Sequence, residues 1–354
     1  MHDPLVLVRG IHYGTLLPMQ SSRVGLLKYR ADRRSIAFLL FYYCLFAYAW
    51  FANPSSPWVI AALTITLSLW TFFIAVMTHN TIHCPIFYSP TLNRLFSVGL
   101  SWGFGAPASG FLPGHNLSHH RFLGTTQDNI RTTKMRYRWN FLTQALFFFH
   151  MVPSIIRTES RFVKNVKDDP QARGWYWQHR FESTMVLVLR ILVIWLDWKR
   201  ALFFVAIPQV YGVWAIFGVN FWQHDGCDEQ HPYNHSRTFT SKLLNYFVFN
   251  NGYHAIHHDQ PALHWSLQPK VHAERYHGRC APELEQKSLI AFLWRSCIYP
   301  GVRLNFDGTK KVLPPKDVDV DWVADAFSTG ASRMVYSGVV GKTETPIDKD
   351  LEAA

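Results

Sequence analysis

Long uncharged runs alternate with short polar, histidine-bearing stretches along this chain of 354 residues. Runs 35–52, 58–78 and 201–219 hold no Asp, Glu, Lys or Arg over 18, 21 and 19 residues. Each is close to the roughly 20 residues an α-helix needs to cross the hydrocarbon of a bilayer. Pro208 predicts a kink in the third run. A fourth run, 185–198, is shorter and contains Arg190 and Asp197, and it turns at Asp197-Trp-Lys-Arg200 into the run that follows. Uncharged stretches of this length are unusual in soluble cores. The pattern predicts an all-α integral membrane protein with four transmembrane helices in two hairpins.

The intervening segments predict the rest of the architecture. Residues 91–114 are apolar but broken by Gly99, Gly103, Gly105, Gly110 and Gly114, which suits an interfacial or partly re-entrant segment. Residues 141–156 are apolar and aromatic around His150 and Pro153, as expected of a helix lying on the membrane. Residues 157–184 form a charged stretch. The expected division is a basic N-terminal segment at 1–34, a membrane domain with a helical cap at 35–306, and an acidic tail at 307–354 whose composition is that of a partly disordered segment.

Charge sets the expected orientation. Arg23, Lys28, Arg30, Arg33 and Arg34 precede the first run, and Asn53-Pro-Ser-Ser-Pro57 is a tight turn between the first two. Positive residues favour the cytoplasmic side, so both termini, the cap and all the histidine clusters are expected there. The net charge is +11; residues from Asp307 onward contribute 9 acidic and 6 basic groups, a balance of −3, which leaves +14 on residues 1–306. A face so basic suits anionic headgroups, acidic carriers or an acidic redox protein. No recognition motif accompanies the charge, so nucleic acid is not an expected partner. The five cysteines share no CxxC spacing and are expected as free thiols.

The histidines change the picture most. They cluster as His79-Asn-Thr-Ile-His83, His115-Asn-Leu-Ser-His119-His120, His224 with His231 and His235 behind it, and His254-Ala-Ile-His257-His258. Imidazole is the commonest metal ligand. Residues four apart share a helix face, whereas adjacent residues point about 100° apart, so His119-His120 and His257-His258 can each serve two ions. Two ions need about eight to ten nitrogens if imidazole dominates. The predicted ligands are His79, His83, His115, His119, His120, His224, His254, His257 and His258, with His231 and His235 in reserve. Asn220, one turn before His224, is placed to orient a metal-bound water or complete a coordination shell. Cysteine-rich and Glu-x-x-His sites are excluded by the residues present, and the donor set alone leaves zinc, copper, iron and nickel open.

The three boxes His79–His83, His115–His120 and His254–His258, spaced around two apolar hairpins, resemble the integral-membrane fatty acid desaturase superfamily, which also contains hydroxylases, acetylenases and alkane hydroxylases. Asn220-Phe-Trp-Gln-His224 is similar to its additional ligand region, and Asn250-Asn-Gly-Tyr-His-Ala-Ile-His-His258 to its last box. The second box carries one residue more than the common HxxHH, which ranks His115 below His119 and His120. The resemblance, over roughly residues 35–265, implies two iron ions and O2 as co-substrate. It also implies an external electron donor of ferredoxin, cytochrome b5 or rubredoxin type, meeting the basic face. The implied reaction is formation of a carbon–carbon double bond in a long acyl chain presented as acyl-CoA, acyl carrier protein or acyl lipid. Hydroxylation or acetylenation is the alternative inside the superfamily. A histidine-rich membrane metal transporter is the alternative of another class, although transport predicts ligands midway along the spans.

Overall fold

The computed structural model describes residues 25–323. Most of segment 1–34 and the end of the tail, with what the sequence predicts for them, therefore lie outside the described residues. Six long helices dominate. They are α1 (Arg33–Phe51), α2 (Pro57–His83), α3 (Pro90–Phe104), α4 (Asn140–Val166), α5 (Arg173–Leu196) and α6 (Trp198–His224). Strand is confined, among the described residues, to the parallel pair Thr238–Phe239 and Glu285–Gln286 and a few isolated bridges.

Among the described residues, three helices are long and apolar enough to cross a membrane: Arg30–Phe51, Pro57–His83 and Trp198–His224. Pro57 starts α2 at a position where its missing N–H costs nothing. The outward faces of these helices expose Leu40, Phe41, Trp58, Ile65, Phe203 and Val210, an apolar belt too extensive for water. The chain fits a multi-pass membrane protein. Helix α5 is not among the three, because its first half, Arg173–Glu182, is polar. Its second half nevertheless exposes Leu187, Val188, Ile191, Ile194 and Trp195.

Helices α2 and α6 pack most closely, and a side chain at Gly212 would begin 2.4 Å from Thr71 Cγ2 and 3.0 Å from the Thr71 backbone. That approach brings His79 and His224, at the ends of the two helices, to the same level. Pro208 does not break α6. Just ahead of Ile207-Pro208, residues Leu202–Ala206 close a π-helical bond pattern that widens the turn where a proline ring would otherwise clash.

Residues 91–114 resolve into α3, a left-handed Gly105 cap (φ 86°) and a short 3-10 turn at Ala108–Gly110. Gly105 is required there twice over, since a Cβ would also collide with Gln209. The Arg190 guanidinium donates to the Gly105 carbonyl and to Gln209 Oε1, which is how a charge within an apolar run is satisfied. The expected 141–156 helix is longer, running through Pro153 to Val166.

The acidic segment is ordered as far as it is described. Asp317 and Asp319 pair with Arg131 at 2.8 and 2.6 Å, Asp319 also meets Lys134 at 2.8 Å, and Trp322 is buried. Alternation of Asp and Val at 317–321 gives an extended strap with its carboxylates on one side.

Candidate metal centre

The end of α2 contributes His79 and His83. The end of α6 contributes Asn220 and His224, and the short helix His254–Asp259 contributes the last box. The middle box lies on a π-helix, Leu112–His119, running into one α-turn at His120–Phe122. The His120 N–H donates to the His115 carbonyl, five residues back. A π-turn therefore places residues i and i+5 one above the other, and it absorbs the extra residue that distinguishes this box from HxxHH.

The nine histidines converge in two groups. His79, His83, His115, His120 and His257 form one, and His119, His224, His254 and His258 the other; the candidate ligand atoms of each group lie within 4.8 Å of one another. The adjacent pairs divide as helix geometry requires, with His120 and His257 in the first group and His119 and His258 in the second. Nε2 atoms face each other within each group: His120 to His115 and to His257 at 3.0 Å in the first, and His224 to His254 at 2.8 Å, His254 to His258 at 3.0 Å and His119 to His224 at 3.2 Å in the second.

This arrangement fits metal ions. A carboxylate accepts hydrogen bonds, so Asp128, whose Oδ2 is 3.0 Å from His119 Nδ1, places the imidazole proton there and leaves Nε2 bare and aimed at the group. Asn80 Oδ1 stands 3.2 Å from His79 Nδ1 in the same role. His83 Nε2 is buried without a hydrogen-bond partner, a cost that an ion would remove. Burial, reinforced by neighbouring imidazoles, holds His115, His120, His254, His257 and His258 well below the usual histidine pKa. They are neutral near pH 7, the form that coordinates.

The reserve residues lie outside both groups. His231 Nδ1 accepts the backbone N–H groups of Tyr233 and Asn234 at 3.1 Å. The His235 ring is 6.0 Å from that of His258, and its Nδ1 is 2.9 Å from Ser236 Oγ, which in turn is 3.5 Å from His224 Nδ1. Asn220 is buried, and its Nδ2 has no hydrogen-bond partner.

An apolar cavity of about 310 Å³ opens onto this centre. His79, His115, His254 and Asn220 meet it at the histidine end, Phe111, Phe148, Ile155 and Phe217 line its walls, and Glu159 is its one carboxylate among the described residues. Sequence reasoning passed over Asp128 and Glu159. The signal for Asp128 was an acid in the loop that follows a histidine box. The signal for Glu159 was its register with Phe148, Val152 and Ile155 on one face of α4.

Paired histidine groups at the ends of apolar helices, with an apolar cavity between the helices, fit a membrane protein with a candidate metal centre. The model for fatty acid desaturases matches residues 55–285, more than half of the chain, and the protein belongs to that family. It is similar to two proteins named sphingolipid delta(4)-desaturase. The one from Candida albicans (strain SC5314 / ATCC MYA-2876) is 25% identical over 226 residues, 56% of each chain. The one from Komagataella phaffii (strain GS115 / ATCC 20864) is 24% identical over 211 residues, 54% of each. The chain thus spans about half the length of the curated relatives it matches.

Proposed function

We propose that the protein is an O2-dependent di-iron desaturase that removes two hydrogens from adjacent methylenes of a long-chain lipid. The observation that carries this reading is the division of nine histidines into two adjoining groups beside an apolar cavity lined by His79, His115 and His254. The relatives' names favour a sphingolipid among long-chain substrates. The overall balance is CH2–CH2 + O2 + 2 electrons + 2 protons giving CH=CH + 2 water.

Iron held by the two groups would supply the redox chemistry that activates oxygen. The rest falls to the protein. His79, His83, His115, His120 and His257 would hold one ion, and His119, His224, His254 and His258 the other. Asp128 and Asn80 fix ring orientation. The cavity walls exclude water and hold an extended chain so that two neighbouring carbons, rather than one, face the centre; a displacement of about an ångström decides between alkene and alcohol. Asn220 Nδ2 is free to donate to a water or substrate atom at that end.

In this reading the second half of α5 is a fourth span, paired with α6. The histidine end of the bundle faces the cytoplasm, where the basic surface receives electrons from a separate acidic redox protein.

Purified protein supplied with a reductase system, O2 and saturated long-chain lipids tests the proposal by mass spectrometry. Desaturation gives a product lighter by the mass of two hydrogens. A product heavier by one oxygen assigns hydroxylation instead, and zinc-only protein with no oxygen uptake after iron reconstitution contradicts both.

A further inference from the structure

Glu159 is an unusual wall for an apolar cavity. It stands on the cavity face of α4, and its side chain is only 26% exposed. A side chain at Gly110 would begin 3.2 Å from its Oε1, so the glycine keeps the space beside the carboxyl clear. Its polar neighbour among the described residues is His179 Nε2, at 3.3 Å.

A buried network determines what that pair presents. Glu182 is fully buried and receives Ser97 Oγ at 2.5 Å, Ser109 Oγ at 2.6 Å, Ser109 N at 3.0 Å and Gln178 Nε2 at 2.7 Å. All four of these contacts are donors aimed at the two Glu182 oxygens. The Ser109 hydroxyl proton is committed to Glu182, so Ser109 Oγ accepts from His179 Nδ1, 3.2 Å away. His179, stacked on Trp175 at 4.9 Å, therefore turns Nε2 toward Glu159 with one proton shared between them. Burial pushes the Glu159 carboxyl up to about 7, which suits such sharing. One carboxyl oxygen is taken by His179, and the other is left for whatever enters the cavity.

Distance along the cavity matters equally. Gly110, Phe111, Gly114 and His115 all line it, and the five residues from Gly110 to His115 advance about 7 Å or a little less, since the turn there is π-helical. An extended chain covers about 1.2 Å per bond, so roughly six bonds separate a group at Glu159 from carbons beside His115.

Resting on the desaturase reading for what happens at the metal end, we propose that Glu159 is the polar-group subsite of the cavity. Positioned by His179, it accepts a hydrogen bond from a hydroxyl or amide N–H of a long-chain lipid. The oxidised carbons are thereby fixed within about six bonds of that group. A phosphate at the same place would meet a carboxyl with no cation among the cavity-lining residues, so the subsite selects neutral donor-bearing lipids. Glu159 is a specificity residue and His179 its positioning residue.

The test is binding of two probes to metal-loaded full-length protein in nanodiscs without reductant, read by tryptophan fluorescence. One probe is an N-acylated saturated long-chain aminodiol, and the other its fully O- and N-methylated counterpart, which has no donors. Wild type is expected to prefer the first by about tenfold or more. Glu159→Leu should erase the preference while leaving the methylated probe's affinity unchanged, and Glu159→Gln, which keeps an acceptor oxygen, should retain most of it. Equal affinity of wild type for both probes overturns the proposal, and that comparison stands even if Glu159→Leu does not fold. Equal weakening of both probes in Glu159→Leu also overturns it, because it marks a structural role only. Adding reductant and O2 then separates the two readings. No oxidation of any probe counts against the desaturase and leaves the binding result standing, whereas a double bond far down the chain contradicts the six-bond placement.

Discussion

The two histidine groups differ in how they are supported. The four-histidine group has an anion behind it: Asp128 fixes His119 and is itself held by the N–H groups of Gly124 and Ile130 at 3.1 and 2.9 Å. Ser236 stands behind His224. Among the described residues, the five-histidine group has no carboxylate within salt-bridge distance of any of its members, and both His83 Nε2 and His120 Nδ1 lack partners. One group is thus defined by fewer ligands on a braced frame, the other by more ligands on neutral scaffolding. A hydrogen-bonded carboxylate raises the basicity of the imidazole it touches, so the ions of the two groups would sit in unequal fields.

The largest effects should come from the ligands themselves. His224→Ala, in the smaller group, is expected to lower turnover at least about a hundredfold, because three remaining imidazoles do not complete the shell; steady-state product analysis checks this. Asp128→Asn keeps the shape of the turn but removes its charge. Metal affinity of the four-histidine group should fall about ten- to hundredfold while the other group keeps its ion, as measured by competitive chelation. If both groups lose metal equally, the contrast between them is wrong.

Smaller effects lie outside the centre. Asp319→Ala leaves Lys134 and Ser154 without their shared acceptor. It should cost about 1–3 kcal/mol in stability, measured by thermal unfolding in detergent, with metal content unchanged. His231→Ala should shift stability by less than about 1 kcal/mol and leave metal binding intact. Loss of metal there would return His231 to the ligand set.

The apolar spans and the histidine pairing were legible because both follow from short-range periodicity. Uncharged length marks α1, α2 and α6, and adjacent imidazoles on a helix must diverge. The π-helix under the middle box was not legible. HxxxHH read as an α-helix separates His115 from His120 by five residues on different faces, and only the bond from His120 N–H to the His115 carbonyl aligns them. Asp128, Glu159 and His179 escaped for another reason. Their roles depend on partners 9, 20 and 70 residues away, His119, His179 and Ser109 respectively, and no local pattern encodes those meetings. The acidic strap was hidden similarly, since an Asp-Val alternation reads as solvated until Arg131 and Lys134 are placed beside it.

The most direct test of the account is metal stoichiometry in protein reconstituted anaerobically with iron, comparing wild type with substitutions at the neighbouring residues His257 and His258. The account predicts two irons in wild type and one in each of His257→Ala and His258→Ala, the two variants retaining different ions with distinct spectroscopic signatures. A single ion in wild type, or the same ion surviving in both variants, would contradict the division of the nine histidines into two metal sites.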